Sequence, residues 1–135
     1  MIETIQVNTP DHAVMVDVTD VIARAIEKHE VRSGICVVYV PHTTAGIMVN
    51  EGADPAVMDD ILAILEKLAP WRGGYRHTEG NSAAHMKAIL IGGSKTIIID
   101  GGRLMLGTWE RIFLCEFDGP RTRKIRIKIL SDERP

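Results

Sequence analysis

Apolar residues recur with a period of two near both ends of the chain and with a helical period between them. Ile5 and Val7 alternate with Thr4 and Gln6 across Ile2 to Val7, and a short apolar run, Ala13 to Val16, follows Asn8-Thr9-Pro10-Asp11. This pattern predicts an opening of two strands around a turn. Val18, Val21, Ile22, Ala25 and Ile26 then recur at i, i+3, i+4, i+7 and i+8, which predicts a helix. Asp17 or Thr19 is available as its N-cap, Lys28, His29 and Arg32 lie near its C-terminal end, and Gly34 stops it. Ile35 to Val40 is continuously apolar and β-branched, the pattern of a short central strand covered on both faces, and Pro41 ends it.

A polar loop, His42-Thr43-Thr44-Ala45-Gly46, leads to a strand over Ile47 to Asn50. Asp54-Pro55 then supplies an N-cap with proline at the first helical position. Val57, Met58, Ile61, Leu62, Leu65 and Leu68 line one face of this second helix, and Pro70 with Arg72-Gly73-Gly74 breaks it into a loop that runs to about Asn81. So long a loop in so small a protein points to function. Ser82 can cap a third helix, Ala83 to Ile91, closed by Gly92-Gly93. Strands are predicted at Thr96 to Ile99, Arg103 to Leu106, Trp109 to Phe117 and Arg123 to Leu130, with turns at Gly101-Gly102 and Asp118-Gly119-Pro120 and a loose tail from Ser131 to Pro135. The order ββαββααββββ has no regular βα alternation, so the fold expected is α+β: one domain over residues 1–135, a mixed, largely antiparallel sheet and about three helices.

Composition narrows the functions available. The 135 residues are 45% hydrophobic and 25% charged, and sixteen Lys and Arg against eighteen Asp and Glu leave a net charge of -2. No global positive field attracts nucleic acid or anionic lipid, so any anion site is local. No apolar run approaches the ~20 residues of a membrane span, and Met1-Ile2-Glu3-Thr4 lacks a signal-peptide pattern, which makes the cytoplasm the expected location. Cys36 and Cys115 both sit in apolar runs and read as buried free thiols.

Polar residues gather in three connecting segments: His42 to Gly46, Asn50 to Pro55, and His77-Thr78-Glu79-Gly80-Asn81 through His85. His77 and Glu79 project together from an extended loop, and a reversal at Gly80-Asn81 could bring His85 to them. With His42 this makes three imidazoles and a carboxylate, a donor set suited to Zn²⁺, Mn²⁺ or Fe²⁺ with one position left for water or substrate. Equally, His77 could be an exposed loop residue and His85 a partner of a backbone carbonyl. Glu51 could act as a general base or metal ligand, or be a solvated acid, whereas Asp54 is explained as a helix cap. Lys124, Arg126 and Lys128 alternate with isoleucines and read as the solvated face of a strand rather than a nucleic-acid stripe. Arg121, in a turn, is free to grip an anion, and Gly101-Gly102-Arg103 and Gly107-Thr108 could offer backbone N–H groups to phosphate or serve as tight turns.

Four stretches carry a resemblance over nearly the whole chain: His42-Thr43-Thr44-Ala45-Gly46 with Val49-Asn50-Glu51 and Asp54-Pro55; His77 to Asn81 with Ala84-His85-Met86-Lys87; Ser94 to Gly102; and Leu104 to Ile112. These resemble the YjbQ family, also known as UPF0047, whose signature of serine, alternating aliphatics, glycine and Gly-Thr-Trp-Gln departs here only in having Glu110 for the glutamine. The resemblance implies an α+β homotrimer with the histidine segments near a subunit boundary. It also implies a secondary thiamine-phosphate synthase activity, joining a hydroxymethylpyrimidine diphosphate to a thiazole phosphate and releasing pyrophosphate. That chemistry needs charge neutralisation on the leaving group. His42, His77 and His85 are the candidate ligands for a divalent metal, Zn or Mg. Glu51, Glu79 and Asn81 are the candidates for proton transfer and substrate orientation, and Asn50, Lys87, Thr108 and Arg121 for substrate binding. Metal-dependent hydrolysis of a small phosphate or amide, and non-catalytic binding of a small anionic ligand by a trimer, compete with it.

Overall fold

The computed structural model describes residues 1–133, so Arg134 and Pro135 of the expected tail lie outside the described residues. Its elements follow in the expected order: β1 (Ile2–Asn8), β2 (Val14–Asp17), α1 (Thr19–Lys28), β3 (Gly34–Tyr39), β4 (Ala45–Glu51), α2 (Pro55–Leu68), α3 (Ser82–Ile91), β5 (Ser94–Asp100), β6 (Arg103–Leu104), β7 (Glu110–Glu116) and β8 (Thr122–Ser131). The fold is α+β. Instead of one sheet there are two, ordered β1-β8-β3-β5-β6 and β2-β7-β4, and every pairing among the described residues is antiparallel. The two opening strands do not form a hairpin. β1 aligns with β8, Ile2 opposite Lys128 and Asn8 opposite Thr122, while β2 crosses to the other sheet and pairs with β7.

Alternation then decides which side chain enters which core. Ile125, Ile127 and Ile129 of β8, Cys36 and Val38 of β3, and Ile97 and Ile99 of β5 meet Ile22, Ala25 and Ile26 of α1 and Ile47, Ile112 and Leu114 of the second sheet. The intervening residues of that second sheet, Met48, Phe113 and Cys115, face a second core against Leu65 of α2 and Ala84 and Ala88 of α3. β7 is apolar without alternation because its two faces feed two cores. β3 differs from expectation here. Cys36 and Val38 are fully buried, but Ile35 and Val37 are half-buried and Tyr39 is exposed, since no element among the described residues covers the outer face of the five-stranded sheet.

The helix boundaries have identifiable causes. Asp17 Oδ1 accepts the Thr19 N–H at 3.0 Å at the start of α1, and Asp54 Oδ1 accepts the Ala56 N–H at 3.0 Å, the cap anticipated for α2. α2 is less buried than its sequence implies: Leu65 is buried, Met58, Ile61 and Leu62 are partly so, and Leu68 is exposed. Ser82 is the first helical residue of α3 rather than its cap. Asn81 holds the cap position, and its side chain makes no capping bond. Gly92, at φ 94°, closes α3 in a conformation that favours glycine. Both cysteines are free and buried, and burial pushes the Cys36 thiol up to about 11 and Cys115 to about 12, the inert thiols expected. No helix among the described residues is long and apolar enough to cross a membrane.

Candidate functional site

His85, Ala88, Ile89 and Gly92 fall at i, i+3, i+4 and i+7, one face of α3 and its end. That face forms one wall of a cavity of about 400 Å³, whose other wall is the β3–β4 loop with His42 and Thr43. The glycine pair after α3 joins the walls: Gly93 O accepts the Val40 N–H at 2.8 Å and Gly92 O the Ile47 N–H at 3.0 Å. Gly46 permits this approach, because a Cβ there would lie 2.8 Å from Gly92 O.

The loop carrying His42 is held from beneath by charge. Glu116, with 0% of its surface exposed, pairs through both carboxylate oxygens with the Arg123 guanidinium, and it accepts the Thr9 hydroxyl at 2.7 Å and the Asp118 N–H at 3.0 Å. Burial by itself raises the Glu116 pKa, but Arg123, the Asp118 N–H and the Thr9 hydroxyl outweigh it and hold the carboxyl below its ordinary value. Arg123 Nη2 then donates to Thr44 Oγ1 at 2.8 Å and to Thr44 O at 3.2 Å, two residues from His42. The backbone N–H of Lys124 donates to His42 Nε2 at 2.8 Å. Burial, together with Arg123, Lys124 and Arg121 and against the opposing pull of Glu116, lowers the His42 pKa.

His77 approaches the same wall. Its ring lies 5.4 Å from that of His85, centre to centre and edge to face, and its Nε2 is 4.0 Å from Glu79 Oε2. Beside them Asn81, 6% exposed, donates from Nδ2 to Asp118 Oδ2 at 2.9 Å. That bond fixes the amide orientation, and it leaves Asn81 Oδ1 as the one buried side-chain atom among the described residues without a hydrogen-bond partner. Arg121 is tied to the same aspartate, Nη2 to Asp118 Oδ2 at 3.0 Å and Nε to Asp118 O at 2.7 Å, with its side chain half exposed.

The remaining sequence candidates lie elsewhere. Asn50 and Glu51 end β4, five and six residues beyond Ala45 and so roughly 17–20 Å away at ~3.4 Å per residue. Thr108 is exposed at that same end, where Gly52 N–H donates to Trp109 O and Glu51 faces Glu110 across the ladder. There Glu51, Asp54 and Asp59 rim a separate cavity of about 320 Å³ floored by Met58 and Phe113. Gly107 N–H is engaged by Glu110 Oε1 at 2.7 Å, a bond the glutamine of the family pattern could equally accept. Lys87 is buried against Glu66, an ion pair tying α3 to α2.

The imidazoles are only partly suited to a metal. Two imidazoles on one tetrahedral ion sit with ring centres roughly 5 Å apart for metal–nitrogen bonds of ~2.0–2.1 Å, and His77 and His85 match that spacing. His42 does not join them, since its Nε2 is taken by Lys124. Among the described residues no group of three His, Cys, Asp or Glu side chains is placed to hold an ion.

Sequence reasoning missed Glu116, Arg123 and Asp118. Arg123 shares the odd-numbered register of Ile125, Ile127 and Ile129, and Glu116 interrupts the run Phe113 to Phe117, so both carried a visible signal of burial.

A sequence profile described as UPF0047 protein YjbQ-like matches residues 3–132. The chain belongs to the YjbQ (UPF0047) family. A UPF0047 protein of Methanocaldococcus jannaschii is 50% identical over 95% of this chain and 93% of its own, and the UPF0047 protein YugU of Bacillus subtilis is 45% identical over 97% of this chain and 100% of its own. A YjbQ/UPF0047 crystal structure from Clostridium acetobutylicum superposes with a TM-score of 0.93 at 48% identity, covering 95% of this chain and 99% of that one. A YbjQ-like protein of unknown function from Sulfolobus solfataricus gives a TM-score of 0.93 at 34% identity, covering 98% and 97%.

Proposed function

We propose that the cavity between the β3–β4 loop and α3 binds a small phosphorylated substrate, and that its reaction is the secondary thiamine-phosphate synthase transfer implied by the family resemblance. The observation that carries this reading is that His42 and His85 line one cavity, with Lys124 and the ion-paired Arg121 and Arg123 close enough to His42 to disfavour its protonation against the pull of Glu116. In the transfer, the bond from the pyrimidine methylene carbon to the diphosphate oxygen breaks, the electron pair leaves with pyrophosphate, and the thiazole nitrogen forms the new bond to carbon. Charge grows on the departing oxygens, where hydrogen-bond donors and cations stabilise it most.

A second reading, hydrolysis assisted by a divalent ion, is favoured by the His77–His85 spacing and by Glu79 beside His77. Two imidazoles hold an ion less firmly than three, and they suit zinc better than magnesium. The ion proposed there is one that arrives with substrate, so purified protein should carry well under one metal per chain by mass spectrometry.

The apolar residues Met86, Ile89 and Leu90 are exposed on α3 next to the cavity, Ile89 at 73%. An exposed apolar patch of this kind is one that an assembly can cover, which supports the homotrimer proposed from the resemblance. Sedimentation equilibrium should return three times the 14.9 kDa chain mass.

The test of function is thiamine phosphate formation from the two phosphorylated substrates, using protein made in a host lacking its own synthase. Wild type should form product, and His85→Ala should form at least ~100-fold less, the range for losing a positioned acid–base or donor group. Equal activity in the two proteins would contradict the assignment. Absence of product in both, with phosphate release from a phosphate ester, would favour hydrolysis.

A further inference from the structure

The pairing of β3 with β8 ends at Tyr39 opposite Arg126. Two residues further the register would set Pro41 against Lys124, but β3 has already stopped. Hydrogen bonds between β1 and β8 fall at odd-numbered residues of β8, with Ile129 N–H donating to Met1 O and Arg121 O accepting the N–H of Thr9 just before the strand. The even-numbered amides therefore turn toward β3. The Lys124 N–H meets a gap there, and the His42 imidazole fills it, Nε2 accepting at 2.8 Å. A ring nitrogen that accepts a hydrogen bond carries no proton, so the proton of the neutral ring sits on Nδ1. No hydrogen bond among the described residues uses His42 Nδ1.

We propose that β8 locks His42 as a neutral hydrogen-bond donor, its Nδ1–H offered to an oxygen of the ligand in the cavity, so that His42 is neither a metal ligand nor a general base. The ligand half of this proposal rests on the phosphorylated-substrate reading, and the tautomer half does not. Protonating Nε2 would set two N–H groups against each other and lose the bond to Lys124. Of the groups facing the ring, Arg121, Arg123 and Lys124 oppose a further positive charge and Glu116 favours one, while His85 lies across the cavity. A site built this way donates to an anion without histidine protonation, so anion binding does not require acid pH. Arg123, which holds Thr44, positions the loop that carries the ring.

The experiment is nitrogen-15 NMR of the histidine rings in the full chain at neutral pH, with inorganic pyrophosphate as probe. His42 should show a proton on Nδ1, a bare Nε2, and a coupling across the N–H···N bond to the Lys124 amide. Lys124→Pro removes that donor without touching the β1–β8 hydrogen bonds, and there His42 should exchange between tautomers. Pyrophosphate should shift the Nδ1 proton, and His42→Phe should weaken its binding ~10- to 100-fold, the range for one hydrogen bond to a charged group. A proton on Nε2 in the free protein would overturn the proposal, as would an Nδ1 signal that stays put while His85 and Arg121 shift. If pyrophosphate shifts no cavity signal, the substrate reading fails and takes the ligand half of the proposal with it, whichever nitrogen carries the proton.

Discussion

Glu116 and Asn81 show how single side chains at this site are tied into the fold. Replacing Glu116 by Gln leaves the Arg123 guanidinium buried without its counter-charge. Breaking a buried pair from one side typically destabilises by about 3–5 kcal/mol, and urea denaturation of Glu116→Gln should show a loss of that order. Asn81→Asp sets a second carboxylate against Asp118 in a site only 6% exposed at Asn81. It should destabilise by about 2–4 kcal/mol, whereas Asn81→Ser, which adds no charge, should cost about 1 kcal/mol. Acid should reveal His42 first and then the carboxylates whose pKa values are lowered, Glu116 together with Glu3, Asp17 and Glu66. The His42 pKa is held below its ordinary 6.5 in the folded chain, so the unfolded chain binds the proton more readily. Stability is full above about pH 6.5 and declines as pH falls from there toward the folded value. The Glu116 pKa lies below 4.5, so its contribution is present above that pH and is lost as pH drops through the folded value. Denaturation midpoints across this range should fall in two stages, with the upper one absent in His42→Gln. At this scale the sequence pointed to His77 beside His85 and Glu79, and to His42 on the same cavity as His85, although His42 does not join the other two imidazoles as a third ligand. It misplaced Glu51 and Thr108, because a motif read along the chain does not say that a seven-residue strand carries its second half to the far end of the sheet.

Elements place the cavity through one close approach. Gly46 of β4 lies against the end of α3 so tightly that a Cβ would sit 2.8 Å from Gly92 O and 3.0 Å from Ile91 Cγ2. Gly46→Ala should therefore push α3 away from β4, destabilise by about 1–3 kcal/mol as overpacking does, and weaken pyrophosphate binding although the methyl touches no ligand. Calorimetry of binding beside thermal denaturation checks both effects. The element order was legible because each element carries its own period and punctuation, as with Asp54-Pro55 before α2 and Gly92 after α3. The strand partners were not. β1 and β2 are adjacent in sequence and separated by a turn signal, yet each finds a strand more than 90 residues away, at β8 and β7. Long-range burial decides that choice, and in a single sequence the residues of β8 and β7 look equally able to receive them.

For the whole molecule, the two-sheet architecture separates two polar regions. His42, His77, His85, Glu79, Asn81 and Arg121 gather around the α3 end of β4, while Asn50, Glu51 and Thr108 occupy the other end with Asp54 and Asp59. The first region pairs Arg121 and Arg123 with Asp118 and Glu116 and holds Glu79 beside His77, whereas Glu51, Asp54 and Asp59 rim the second with no cation among the described residues of its lining, so an anionic substrate should favour the first. The apolar outer face of α3 places any self-association beside the first region, and a charged substitution there, Ile89→Glu, should shift the sedimentation mass toward the single chain while leaving the far-UV spectrum unchanged. The most direct test of the functional account is a crystal structure of the protein soaked with pyrophosphate. The account predicts the anion in the cavity between His42 and His85 with Arg121 near it; pyrophosphate at the Glu51 end, or absent from the cavity at saturating concentration, would contradict it.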